Sequence, residues 1–302
     1  MKDKENSALI IGAFANLFMA FIAWVTYYYS NSEAILLDGN YSFIMFLSVL
    51  VALKIAGIKA LKTETFPLGQ FFYESLYSFI KGLMMLGVLI MAVITAVIRI
   101  ISYFYGSIEN IPMLIPEPIL YYAILVGIIC YSLSLNYKYQ NNKINNSSIV
   151  LKTEQKASFV DGSLSFGIAI GIVFLTRFPD DNGGNFIPYL ADSLFVLILS
   201  SFLVKEPLII IKEAIIELAG GTLQNEKTKR SFEKAIEESK VKNIIITDYH
   251  LSKNGSKYVI LLNVDTKTAT INKQDLAEMK RNIELKLKEE YPYLYIEIIP
   301  KI

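Results

Sequence analysis

The sequence holds one cysteine, Cys130, and one histidine, His250, among 302 residues. A single cysteine excludes an internal disulfide, and Cys130 lies in an apolar run where filling space as a small buried residue is the ordinary role. His250 falls on a strand-like run near the C-terminus, where packing or surface exposure is equally ordinary. Excess charge is lacking too. Lys and Arg number 29 against 28 Asp and Glu, and a net charge of +1 gives no reason to expect nucleic acid as a partner. What abounds is apolar surface: 53% of the residues are hydrophobic, and the mean hydropathy is positive. That composition belongs to a membrane protein.

A helix needs about 20 apolar residues to cross the hydrocarbon core of a bilayer. Six stretches qualify, near 8–29, 34–58, 74–104, 117–137, 157–176 and 188–204. The polar start, MKDKENS, leads into the first of them without a small-residue cleavage site, so it reads as a retained span. An even number of spans puts both termini on one side, and the basic residues choose which. Lys2 and Lys4 precede span one, Lys54, Lys59 and Lys62 surround the 2–3 loop, and Lys138, Lys143, Lys152 and Lys156 fill the 4–5 loop. The 1–2 and 3–4 loops have none; only Arg99 and Arg177 flank the opposite ends. Both termini are therefore expected in the cytoplasm.

Beyond Gly220-Gly221 the chain becomes charged. Residues 225–240 form an amphipathic pattern, "NIIITDYHL" and "KYVILLNVD" are β-rich runs joined through an Asn-Gly hairpin signal, 273–290 is a second helical pattern and "YLYIEII" a third strand. The expected organisation is a six-helix transmembrane domain over 1–221 and a small cytoplasmic αββαβ domain over 222–302.

Two apolar spans carry the same pentapeptide, Asp-Gly-x-x-Ser: "LLDGNYS" at 36–42 and "FVDGSLS" at 159–165. An ionisable residue inside a span costs several kcal/mol, so it faces a cavity and has a job. Asp38 has Ser42 one turn on, and Asp161 has Ser165. The copies lie three spans apart, which would invert a duplicated three-span unit, an arrangement transporters use with the site at the repeat interface. Two carboxylates with nearby hydroxyls make an oxygen-rich site for a divalent cation, and the same pair holds protons when empty. Metal and proton exchange can thus share one site. Asp192 opens span six, where a helix N-terminus welcomes an acid and capping is the first expectation. Glu74 stands at the start of span three, as a gate, a structural partner or a solvated helix end.

With "FPLGQFFYESL" entering span three, "EQKASFVDGSLS" entering span five and "PYLAD" opening span six, the chain resembles the cation diffusion facilitator family over nearly its whole length. The resemblance implies a non-enzymatic antiporter that needs no cofactor, exporting Zn²⁺, Mn²⁺ or Fe²⁺ across the cell membrane in exchange for protons. It also implies a homodimer formed through the cytoplasmic domain. It places ligands four apart on spans two and five, mostly Asp and His. Asp38 takes the first span-two position and Ser42 the second. Asp161 takes one span-five position, with Ser165 as its partner if it is the earlier ligand and Ala157 if it is the later. Two strong ligands suit a harder, more hydrated ion better than four-coordinate zinc. The tail has no metal site in view, since His250 is alone. Asp38 stands near the outer end of its span and Asp161 near the inner end of its own, so the two are level only if helix five begins near Ser147. Two other classes remain. A transport-inactive metal-sensing or structural protein is motivated by Ser42 and Ala157. An intramembrane aspartyl protease is remote, because Asp38 follows Leu37 and Asp161 follows Val160 without that family's motifs.

Overall fold

A computed structural model describes residues 2–105, 115–143, 187–241, 244–266 and 273–300, with short groups of residues between 151 and 170. The chain is mostly helical. Helices α1 (Lys2–Ser30), α2 (Glu33–Ile58), α3 (Phe72–Phe104) and α4 (Pro116–Asn142) precede α5 (Ile187–Leu203) and α6 (Lys205–Leu218). Five stretches among the described residues are long and apolar enough to cross a membrane: Ser7–Ser30, Glu33–Ile55, Phe72–Phe104, Pro116–Asn142 and Leu190–Leu218. The last joins the expected sixth span to α6, a helix the sequence reading left unassigned. Pro207 falls in its first turn, where the missing N–H costs nothing. The expected fifth span lies partly outside the described residues, as does Ala157 itself. Those described from Ser158 to Ile170 are helical, and so are Leu151 and Gln155, so helical backbone occurs ahead of position 157.

The helix ends have local causes. Asn31 closes α1 in the left-handed region, at φ 56, with its N–H on the Tyr27 carbonyl 2.9 Å away. Ile115 is extended, and Pro116 starts α4 with its φ already preset for a helix.

Contacts group the described chain into two units, Met1–Val51 with Leu83–Pro207, and Ala52–Gly82 with Leu208–Ile302. In the first, α1 packs along α4 through Met19, Ala23, Tyr122, Val126, Cys130 and Tyr137. Exposed side chains on these helices are largely apolar, among them Phe14, Phe18 and Phe21 on α1 and Ile90, Met91, Ile94 and Ile98 on α3. Such a surface suits lipid, and the helices satisfy their own backbone groups as lipid requires. Each Asp-Gly pair meets a neighbouring helix through its glycine. A Cβ at Gly39 would come within 2.6 Å of the Ala23 Cβ on α1, and one at Gly162 within 3.2 Å of the Cys130 Cβ on α4. The glycine brings the helices close while the aspartate beside it points elsewhere.

The second unit holds a three-stranded sheet. Strand β1 (Ile244–Asn254) pairs antiparallel with β2 (Lys257–Thr266), and β3 (Leu294–Pro300) runs parallel to β2 on its other side. Helix α7 (Glu226–Glu237) precedes β1, and α8 (Lys273–Leu287) crosses over from β2 to β3. Asn225 caps α7, its side chain accepting from the Thr228 N–H at 3.0 Å. Alternate residues of β2, Ile260, Leu262 and Val264, are fully buried against Phe232 and Ile236 of α7 and Met279, Ile283 and Leu287 of α8. Four-residue spacing on the helix and two-residue spacing on the strand thus meet in one core.

The hairpin tip, with Gly255 at φ 59, docks on helix ends within this unit. Glu74 on α3 accepts from the Ser256 N–H, the Ser256 hydroxyl at 2.9 Å and the Lys59 ammonium at 2.8 Å. Glu217 on α6 accepts from Ser75 at 2.7 Å, the Gly255 N–H at 3.1 Å and Lys253 at 2.8 Å. Burial alone would push the Lys253 ammonium down, but the hydrogen bond and charge of Glu217 outweigh it and leave it raised. Glu74 is therefore a structural partner here, not a solvated helix end.

Candidate functional site

Within the first unit a cavity of about 110 Å³ is lined by all four of the residues singled out from the repeated pentapeptide: Asp38, Ser42, Asp161 and Ser165. Asp38 and Ser42 are one turn apart on α2. Asp161 and Ser165 are one turn apart among the helical residues between 158 and 170. The expected difference in level between the two aspartates does not keep them from one cavity. Ser158 lines the same wall.

The side chains differ in their surroundings. Asp38 is half-buried and accepts a hydrogen bond from the Tyr122 hydroxyl on α4. A carboxylate accepts through two oxygens, so capacity for a further partner remains. Asp161 is exposed. Ser165 is buried and donates to the Asp161 carbonyl at 3.0 Å, the i to i−4 bond that Ser makes inside helices, which leaves its oxygen lone pairs as acceptors. No described residue lining the cavity is basic. Among the described lining, oxygen donors and acidic charge form a wall that suits a divalent cation. Among the described residues no three His, Cys, Asp or Glu side chains converge closely enough to hold an ion by themselves.

Other lining residues escaped the sequence reading: Asn16 of α1, Tyr41 of α2, and Cys130 and Tyr137 of α4. Tyr122 escaped it as well. A signal existed in α4, whose buried stripe carries Tyr122, Cys130, Ser134, Tyr137 and Asn141 among its apolar residues. Polar groups recurring on the buried face of an apolar helix mark a wall as well as a core. Ser134 also binds the Gln155 carbonyl at 2.9 Å, fixing α4 to the helical residues beyond it.

Asp192 does not line this cavity. Its carboxylate caps a different helix from its own: Oδ1 accepts from the Ser32 hydroxyl at 2.5 Å and the Ala34 N–H at 3.3 Å, and Oδ2 from the Glu33 N–H at 2.7 Å. Those groups start α2. Arg99 of α3 completes the cluster, 3.1 Å from Asp192 and 3.5 Å from Glu33. Asp192 is 2% exposed, so the charge needs each of these partners. Capping was expected of Asp192, but at the start of its own helix.

His250 lies in the second unit with Nε2 3.2 Å from the Gly220 carbonyl, a contact that uses it in packing.

No curated protein matches the chain. The family model of the cation efflux transmembrane domain matches residues 9–219, which include α1 through α6 almost entirely and every residue of the cavity. The resemblance seen in the motifs is thereby a membership: the chain belongs to the cation efflux family, multi-pass membrane proteins that transport metal cations.

Proposed function

We propose that this protein exports a divalent transition-metal ion, of the Mn²⁺, Fe²⁺ or Zn²⁺ class, from the cytoplasm in exchange for protons. The observation that carries this reading is the meeting of Asp38 and Asp161, from two copies of one pentapeptide, on one cavity with no basic residue among its described lining. Two carboxylates facing water-sized space exchange cargo by a simple rule. With an ion between them both stay ionised; without it, repulsion between two like charges on one cavity is relieved by taking up protons. Binding of metal on one side and of protons on the other then becomes a cycle of a single site. Ser42 and Ser165 supply neutral oxygens beside each carboxylate, and water fills the remaining positions of a partly hydrated ion. The ion is substrate, and no resident cofactor takes part.

Six spans, with both termini in the cytoplasm, follow from the apolar runs and the lysine-rich loops. The small sheet domain is the soluble face through which two copies would pair.

Purified protein in proteoliposomes containing a pH indicator tests the exchange. Addition of Mn²⁺, Fe²⁺ or Zn²⁺ should displace protons in step with metal uptake, and Asp161→Asn should abolish both while leaving the thermal unfolding midpoint unchanged. Metal uptake by wild type without proton movement, or normal uptake by well-folded Asp161→Asn, would overturn the exchange or the site respectively.

A further inference from the structure

Helix α3 puts no residue on the cavity wall among the described lining, yet it carries a largely buried cation, Arg99. A charge inside a span has a job, and the partners of this one lie at the ends of other helices. Its guanidinium is 3.1 Å from Asp192 on α5 and 3.5 Å from Glu33 on α2, and Glu33 also accepts from the Tyr27 hydroxyl of α1 at 3.5 Å. The Ser30 hydroxyl accepts from the Ser32 N–H, and the Ser30 carbonyl accepts from the Ile115 N–H just ahead of α4, at 3.1 Å. Five helix ends thus meet in one cluster. The cluster adjoins the cavity, because Ala34 belongs to both, with its N–H on Asp192 and its place on the wall. Four helices run from the cluster to the wall: α1 to Met19, α2 to Asp38, α4 to Val126, and α5 to Leu199, two turns beyond Asp192.

Resting on the reading of this cavity as the transport site with both termini cytoplasmic, we infer that Arg99, Glu33 and Asp192 form a latch that holds the outer end of the cavity shut while the ion enters from the cytoplasm, and that parting of Arg99 from Glu33 opens it. A site that serves both sides of a membrane opens to one side at a time, by rocking one group of helices against another. Paired charges at helix ends can hold such a motion and release it, since separation exchanges each partner for water. Arg99 suits the holding role, because its planar fork reaches two carboxylates at once. The two carboxylates are held unequally. Asp192 takes four donors and is 2% exposed, whereas both side-chain contacts of Glu33 are at 3.5 Å and its side chain is 15% exposed. Glu33 is therefore the arm that lets go.

Cys130 is the one cysteine in the chain, is buried and lines the cavity, so its thiol reports an opening. A membrane-impermeant methanethiosulfonate, applied to right-side-out and inside-out vesicles holding the full chain, reads each side separately. Glu33→Gln keeps the shape of the side chain and deletes the charge that Arg99 holds. It should speed labelling from the outer side several-fold and slow it from the cytoplasmic side, since one population grows at the expense of the other. Arg99→Lys keeps the charge but not the fork, and should shift both rates in the same directions to a smaller extent. Faster labelling from both sides would mean a protein that is merely looser, and unchanged rates would mean that Glu33 holds nothing. Either result, in whichever of the two variants folds, overturns the latch. Uptake by Asp161→Asn separates the latch from the site it serves. If that uptake is abolished and labelling fails in either way, the latch falls and the transport site stands. Normal uptake by Asp161→Asn removes the site, and the latch with it.

Discussion

Tyr122 on α4 donates its phenolic proton to Asp38 on α2, across 84 residues of sequence. The bond orients one of the two proposed ligands. Tyr122→Phe keeps the ring and deletes only the donor. A hydrogen bond to a charged group is worth about 1.5–3 kcal/mol, so metal affinity should fall roughly tenfold to a hundredfold. Calorimetric titration of metal into the solubilised variant checks this, and an unchanged unfolding midpoint shows that the loss is local.

Ser42 contributes a neutral oxygen where the family resemblance implies a stronger ligand. Ser42→Asp should tighten binding of every divalent ion, and Ser42→His should move preference toward Zn²⁺ by adding a nitrogen donor. Competition uptake under one pH gradient reads both. An order of ions that neither substitution alters would mean residue 42 does not touch the ion.

Gly39 packs where a methyl group would overlap Ala23. Gly39→Ala should cost about 1–3 kcal/mol through forced separation of α1 and α2, seen as a lower unfolding midpoint. Gly57→Ala, at a helix position with nothing within 4 Å of the added carbon, is the matched control and should lose nothing.

Arg99 is 10% exposed at its side chain and faces both Asp192 and Glu33. Arg99→Met leaves two carboxylates without their counter-ion at the start of α2. Breaking a buried pair from one side costs about 3–5 kcal/mol, so this variant should melt well below wild type. Arg99→Lys should recover part of the loss.

The sequence made some of this legible because the cause was local. Apolar runs set the helices, Asn-Gly set the hairpin, and a pentapeptide occurring twice in apolar surroundings marked Asp38, Ser42, Asp161 and Ser165. Partnerships across long separations left no such trace. Asp192 caps a helix that begins 159 residues earlier with Glu33, so its acid looked like a cap for the helix it opens. Cys130 looked like a space-filler because a thiol on a cavity wall and a thiol in a core share the same apolar neighbours in sequence. Helix α6 was passed over because Lys205, Glu206 and Pro207 interrupt the apolar run at the end of span six, so the helical stretch beyond them was left unassigned within the membrane domain. The first pentapeptide glycine explains itself only with α1 in view. In both copies of Asp-Gly an acid that lines the cavity stands beside a glycine that meets a neighbouring helix closely.

The hairpin tip has a practical consequence for anyone who shortens this chain. Cutting after Gly221 takes away three of the donors on Glu74 and Glu217 at a stroke, the Ser256 hydroxyl and the Ser256 and Gly255 N–H groups, along with the Lys253 ammonium. It also strips Tyr293 from Phe71, whose rings sit 4.9 Å apart. What is left is two under-satisfied carboxylates at the feet of α3 and α6, so a silent truncate would report damaged helices as readily as a missing dimer contact. A cleaner dissection leaves 244–266 in place and alters the outer faces of α7 and α8 instead.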